Sequence, residues 1–185
     1  VYLVSNSGVS FAMNDELSYV NKSTLVASYD SKNDTVNRVR VERKDLEKDI
    51  VLDKLPEETE KEFSSTYVAY AMSSHNGILA DDELDQKVVY GLYGISASGV
   101  FAVSPTDEQK KQAGLDNPDC TVTMVSNEDT VTKLTIGSAV YTVTKNDETG
   151  EEIKTITGYY GMLSDKDAIY VFSPDVLPWL TVTPE

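Results

Sequence analysis

Cys120-Thr121-Val122-Thr123-Met124-Val125, Thr132-Lys133-Leu134-Thr135-Ile136 and Ala139-Val140-Tyr141-Thr142-Val143-Thr144 are the runs that decide the fold class. They are short and rich in β-branched residues, which favour a pleated, half-buried backbone over a helix. Ile153 to Tyr160 and Ile169 to Phe172 continue the series. The connections are turn-like, as in Lys145-Asn146-Asp147-Glu148-Thr149-Gly150-Glu151-Glu152. Consecutive short strands of this kind pair antiparallel, so the stretch from Cys120 onward predicts a meander.

Working outward, the N-terminal side carries further strand signals at Val1 to Val4, Leu25 to Tyr29, Val36 to Arg43, Ile50 to Leu52 and Tyr67 to Met72. Asn, Asp, Ser and Lys clusters that favour turns separate them. Helical signals are fewer. Asp81 to Ile95 opens on Asp81, Asp82 and Glu83, suited to the positive end of a helix, and spaces Leu84, Val88, Leu92 and Ile95 along one stripe. Ser104-Pro105-Thr106-Asp107-Glu108 reads as a cap followed by a first turn, closed by Gly114. Ser173-Pro174-Asp175 repeats that start, and Pro178 limits it to about one turn. Asn14 to Val20 is a short helix candidate, and Glu57 to Phe63 reads as helix or loop. The expectation is an α+β fold: a mostly antiparallel β-sheet meander, the Asp81 to Ile95 amphipathic helix packed on one face, and short helices at the crossovers.

The chain has 185 residues, with 16 Lys+Arg against 31 Asp+Glu and a net charge of −15. Such a field repels phosphate backbones and anionic lipid headgroups, which argues against nucleic-acid binding and against direct membrane contact by this segment. At 40% apolar residues the composition also excludes a disordered chain. No run approaches the ~20 apolar residues of a spanning helix. The chain opens at Val1 inside an apolar run, as a trimmed or processed product does. The charge is uneven: residues 1–54 hold 8 basic and 9 acidic side chains, whereas residues 55–185 hold 8 and 22. Val1-Tyr2-Leu3-Val4-Ser5 matches Ile169-Tyr170-Val171-Phe172-Ser173 in residue type at all five positions, the mark of an internal repeat. Residues 1–54 then read as the end of one repeat and the start of the next, near-neutral, and residues 55–185 as an acidic α+β module, with one compact unit of the two as the alternative.

All three arginines, Arg38, Arg40 and Arg43, lie in one strand-like segment and form the candidate partner contact. Alternation there sets Val39 and Val41 on one face and Arg38, Arg40 and Glu42 on the other. The competing reading is a solvated strand face whose cations pair with acids across the sheet. No catalytic, cofactor or metal site is assigned. His75, the sole histidine, lies in the turn-like Ser73-Ser74-His75-Asn76-Gly77 and reads as a loop residue. Gly94-Ile95-Ser96-Ala97-Ser98-Gly99 lacks the second glycine of a nucleophile elbow. Asp30-Ser31-Lys32-Asn33-Asp34 puts lysine where a calcium loop needs an oxygen donor, and Asp147-Glu148-Thr149-Gly150 places glycine too early. Gly91 and Gly94 read as close packing or a helix end. Cys120, the sole cysteine, excludes an intramolecular disulfide and reads as an inert, partly buried residue. Tyr67, Tyr70, Tyr90, Tyr93, Tyr159, Tyr160 and Trp179 read as sheet surface and core edge, with a glycan or peptide platform as the alternative.

Ala113-Gly114-Leu115-Asp116-Asn117-Pro118, the Cys120 to Val125 strand, Leu134-Thr135-Ile136-Gly137, Gly158-Tyr159-Tyr160 and Ile169 to Ser173 occur in an order that resembles the bacterial family called domain of unknown function 4340. That family shows a Gly-Leu-Asp-x-Pro turn before a strand, a Leu-x-Ile-Gly hairpin, a Tyr-Tyr strand and a Val-Tyr-Leu-Val strand. The likeness spans Asp81 to Leu180 and departs at Lys145 to Glu152, longer here than the usual hairpin. The resemblance implies an extracytoplasmic bacterial protein, membrane- or lipid-anchored through a segment absent here, associated with gliding-type ABC transporter components. Its motifs are structural, so no functional residue is carried over. The resulting expectation is a non-catalytic binding or scaffold module, not an enzyme, with an envelope or transporter protein as partner. An Asp/Glu-based hydrolase and a glycan or small-ligand binder using the tyrosines are the alternatives.

Overall fold

The structure, a computed structural model, describes residues 15–26, 36–56, 70–80, 84–146 and 149–183. Nine strands carry it: β1 Val36–Arg43, β2 Ile50–Lys54, β3 Tyr70–Met72, β4 Ile78–Leu79, β5 Gly99–Val103, β6 Cys120–Ser126, β7 Val131–Lys145, β8 Glu152–Leu163 and β9 Ala168–Phe172. They form one antiparallel sheet in the order β4-β3-β2-β1-β6-β7-β8-β9-β5. Two meanders of consecutive strands, β1 to β4 and β6 to β9, thus meet where β1 pairs with β6. Residues 36–54 share this sheet with the acidic part of the chain.

Register decides which side chains are buried. Val39 pairs with Leu52 and Met124, Val41 with Ile50 and Val122, and Cys120 with Ile136. All of these lie on one face and are buried, together with Tyr70, Leu134, Leu163, Tyr170 and Phe172. Burying each large apolar side chain contributes about 1.5–3 kcal/mol. The cover over this face comes from residues 84–98, in the crossover between β4 and β5, and from the C-terminal segment. Leu84, Val88, Val89, Leu92 and Ile95 are buried in the former, and Leu177 and Trp179 in the latter.

The expected α+β class is corrected: the fold is nearly all β. Among the described residues no helix reaches seven residues. The only α-helix among them, α1, is Asp107–Gln112. In place of the Asp81 to Ile95 amphipathic helix there is a five-residue π-helical turn, Asp85–Val89, followed by turns; Asp81, Asp82 and Glu83 lie outside the described residues. The apolar stripe is buried as its spacing predicts, but tertiary packing buries it without a long helix. Gly94, at φ +67°, takes a left-handed conformation that a continuing helix does not allow. The backbone pairs instead with a neighbouring segment: Gly94 N–H donates to Val26 O at 3.1 Å and Leu25 N–H to Ile95 O at 2.8 Å. Gly91 supplies close packing: a Cβ there would overlap Lys87 O and crowd Pro178 and Trp179.

The short elements follow the local signals with shifts. α1 is capped by Thr106, whose side chain forms a reciprocal capping box with Gln109, two residues after the expected Ser104. Asn14 to Val20 yields a 3-10 turn at Glu16–Tyr19, and the Pro174 and Pro178 segments give one turn each. Val1 to Ser5, Asp30 to Asp34, Glu57 to Phe63 and Tyr67 lie outside the described residues, so one half of the internal echo does as well.

The two predicted strands at Thr132 to Ile136 and Ala139 to Thr144 are one strand. Gly137-Ser138 forms a bulge inside β7, not a hairpin. The end of α1 presses on it: Ser138 N–H donates to Ala113 O at 2.8 Å, and a Cβ on Gly137 would overlap that same carbonyl oxygen.

Candidate functional site

Arg38 and Arg40 project from β1 on the sheet's outer face, opposite the core. They line an open hollow of about 680 Å³ with Glu47, Lys48, Asp49, Val51, Ser74, Thr123 and Val125. β1, β2 and β6 build its floor, because Arg40 pairs with Val51 on one side and Thr123 on the other. The arginines are met by acids. Arg38 Nε lies 3.3 Å from Asp53, and Arg40 Nη2 lies 2.6 Å from Asp49 and 3.2 Å from Glu42. The Asp49 hydrogen bond, then the charge of Glu42, raise the pKa of Arg40 above its ordinary value. Such exposed pairs contribute little to stability, and they neutralise the hollow, so the arginines do not present a free cationic patch.

Arg43 points the other way, sharing the parity of Val39 and Val41. Its side chain is 5% exposed, and its guanidinium is consumed inside the chain. Nη1 donates to Trp179 O at 2.9 Å and to Val182 O at 2.5 Å, while Nε and Nη2 donate to the two carboxylate oxygens of Asp45 at 3.0 and 2.5 Å. The fork therefore ties the C-terminal segment to the end of β1. The Arg43 hydrogen bond holds the Asp45 carboxyl below its ordinary pKa. The three arginines are close in sequence and do not converge on one surface.

Ser74, on the rim of the hollow, accepts from Val51 N–H at 3.0 Å and lies 2.9 Å from His75 Nδ1. This contact joins adjacent residues of a 3-10 turn, Ser73–His75. Ser96 and Ser98 serve the backbone: Ser96 Oγ accepts from Thr24 N–H, and Ser98 Oγ donates to Val171 O. Among the described residues no group of three or more His, Cys, Asp or Glu side chains is placed to hold a metal ion. Cys120 is buried, and burial pushes its thiol up to about 12. No helix among the described residues is long and apolar enough to cross a membrane.

Among the described residues, the aromatics singled out in the sequence do not gather into a platform; Tyr67 lies outside them. Tyr70 and Trp179 are buried in the core, and Tyr90, Tyr93 and Tyr159 pack at its edge. Tyr160 stacks at a tilt on Phe101, ring centroids 4.8 Å apart.

The exposed apolar surface lies elsewhere. β6 reaches β7 only as far as Ile136, and β9 pairs with β8 only at Tyr159, Tyr160 and Gly161. Beyond those points β7 and β8 pair with each other alone, as a two-stranded arm from Val140 to Lys145 and Glu152 to Gly158. Tyr141, Val143, Ile153 and Ile156 are 54%, 50%, 48% and 40% exposed on it. Register shifts after Ile136 and after Val140 place one bulge on each strand. With these shifts, the face carrying Leu134, Ile136, Leu163 and Tyr159 continues outward as Tyr141, Val143 and Ile156, with Ile156 directly opposite Tyr141. The sequence reading missed this arm because it divided β7 at Gly137. The signal was available in the two apolar–threonine alternations, Leu134 to Ile136 and Tyr141 to Thr144, which only Gly137 to Val140 separate.

Comparison with family models, curated proteins and solved structures finds no match to the chain.

Proposed function

We propose that this chain is a non-catalytic binding or scaffold module of an extracytoplasmic protein of the bacterial envelope, accessory to an ABC transporter. One observation carries the binding half of that reading: the buried face of the sheet continues past its neighbours as an uncovered apolar arm, Tyr141, Val143 and Ile156. These side chains cluster on a ribbon that has no strand partner beyond β7 and β8 among the described residues, which makes them the surface most ready to meet another protein. The envelope setting rests on the resemblance to the domain of unknown function 4340 family, and the overall charge of −15 is consistent with a solvated module that avoids phosphate and lipid headgroups.

The test is in-cell crosslinking of the full-length protein followed by identification of the partners. Recovery of transporter or envelope subunits is the expected result. The reading is overturned if efficient crosslinking recovers no partner, or if the purified protein hydrolyses a substrate and loses that activity when a carboxylate pair is changed.

A further inference from the structure

We propose that Asn76 is a site of spontaneous covalent modification, deamidation to aspartate and isoaspartate, whose rate is set by the opening of the edge hairpin that carries it.

The chemistry belongs to the Asn76-Gly77 pair. The Gly77 backbone nitrogen gives its proton to hydroxide and attacks the carbonyl carbon of the Asn76 side chain. A nitrogen–carbon bond forms there, the bond from that carbon to the side-chain nitrogen breaks, and the leaving nitrogen takes up a proton and departs as ammonia. Water then opens the succinimide ring at one or the other carbonyl, giving aspartate or isoaspartate. A Cβ on the following residue crowds this attack, and glycine has none. Space is also open here: a Cβ at position 77 would meet nothing within 4 Å, and both residues are exposed.

The backbone conformation holds the reaction back. Asn76 is left-handed, at φ 59° and ψ 24°. At that ψ the Gly77 nitrogen is turned to the far side of the Cα–C bond from the Asn76 Cβ, out of reach of the side-chain carbonyl carbon. The same nitrogen donates its hydrogen to Met72 O at 2.9 Å. Ring closure needs rotation about the Asn76 Cα–C bond, and that rotation also pulls Gly77 N–H off Met72 O. One motion therefore removes both restraints, and it occurs where the sheet is weakest. β4 is two residues long and stands at the end of the sheet, paired with β3 through Ala71 and Met72. An element with so few backbone bonds opens at far lower cost than the whole fold. Isoaspartate adds a methylene to the main chain between positions 76 and 77, so the turn no longer fits the register of Met72 with Ile78. Ser74, in the same turn, accepts Val51 N–H at 3.0 Å, so the change reaches the rim of the arginine hollow.

The experiment incubates the purified chain at pH 8, folded in buffer and unfolded in urea, and follows by peptide mass spectrometry the gain of one mass unit at Asn76. Asn117 is the control, because Pro118 follows it and has no N–H to cyclise. Hydrogen exchange of the Gly77 amide is measured on the folded chain in the same buffer. The expected result is conversion at Asn76 and none at Asn117, at least about tenfold slower in the folded chain than in urea, because only the open fraction reacts. That ratio matches, within about threefold, the factor by which folding slows Gly77 exchange, since one opening controls both. The amides of β6, at the centre of the sheet, exchange at least about tenfold more slowly than Gly77, which separates edge opening from global unfolding. Conversion nearly as fast folded as in urea, no conversion in either state, a rate ratio outside the stated match, or a Gly77 amide as protected as those of β6 would each overturn the proposal.

Discussion

Replacing Arg43 by methionine keeps the aliphatic stem that packs at the end of β1 and removes the fork that reaches the C-terminal segment. Two of the four lost hydrogen bonds matter most. Those to Trp179 O and Val182 O link a charged donor to carbonyls of buried residues, and bonds of that kind are worth about 1.5–3 kcal/mol each. The other two go to Asp45, whose side chain is 65% exposed, where an ion pair contributes ~0–1 kcal/mol. Water reaching the freed carbonyls recovers part of the loss, so the expected destabilisation is about 2–4 kcal/mol. With a urea dependence of roughly 2 kcal/mol per molar, the unfolding midpoint falls by about 1–2 M. Trp179, the sole tryptophan and fully buried beside the fork, reports the transition by fluorescence. An Arg43→Met protein with unchanged midpoint and unchanged Trp179 emission would refute the assignment of Arg43 as the tie between β1 and the C-terminal segment.

Further outcomes follow from the same geometry. Because the folded pKa of Asp45 is depressed, its contribution is present above the unfolded carboxylate value, about 4, and is lost as pH falls through the folded value. The stability gap between the parent and Asp45→Asn, measured by urea unfolding, therefore closes on acidification from pH 7 to pH 3; a gap independent of pH contradicts the pairing. Cys120, its thiol raised to about 12, reacts with Ellman's reagent at pH 8 at least about a hundredfold more slowly in the folded protein than in urea. Comparable rates would show the thiol to be accessible. Gly137→Ala inserts a methyl group against the Ala113 carbonyl and is expected to cost about 1–3 kcal/mol by forcing α1 away from β7. A thermal midpoint within a degree of the parent would show that this junction is loose.

Much of the sheet was legible because strand signals are local. Val36 to Arg43 alternates as its two neighbours require, and the runs at Cys120, Ile153 and Ile169 map onto β6, β8 and β9. The misreadings have physical causes. The stripe Leu84, Val88, Leu92 and Ile95 predicts burial correctly, yet burial at helical spacing does not secure helical winding when Gly94 turns left-handed and the backbone bonds to Val26. β5 went unread although Val100-Phe101-Ala102-Val103 follows a glycine, because the helix reading absorbed the residues before it. The strand pattern of Val36 to Arg43 put Arg38 and Arg40 on the outer face, but nothing local announces that Arg43 reaches carbonyls more than 130 residues away. The arm depended on where β6 and β9 stop pairing, which is a property of the whole sheet.

The junction of β1 with β6 has a kinetic consequence. Within each meander every strand pairs with its neighbour in sequence, so connections of four to fifteen residues bring partners together at a lower entropic cost than the long closures. The β1–β6 registration instead joins Val41 to Val122, and β5 joins β9 through Val103 and Ala168. Closures of that length are slow steps in folding, and until they occur the facing edges of β1 and β6 are open to the wrong strand. Refolding should therefore pass through two locally formed halves whose docking sets the rate. A chain cleaved within the 84–98 part of the crossover would need to zip along that same edge to regain its sheet.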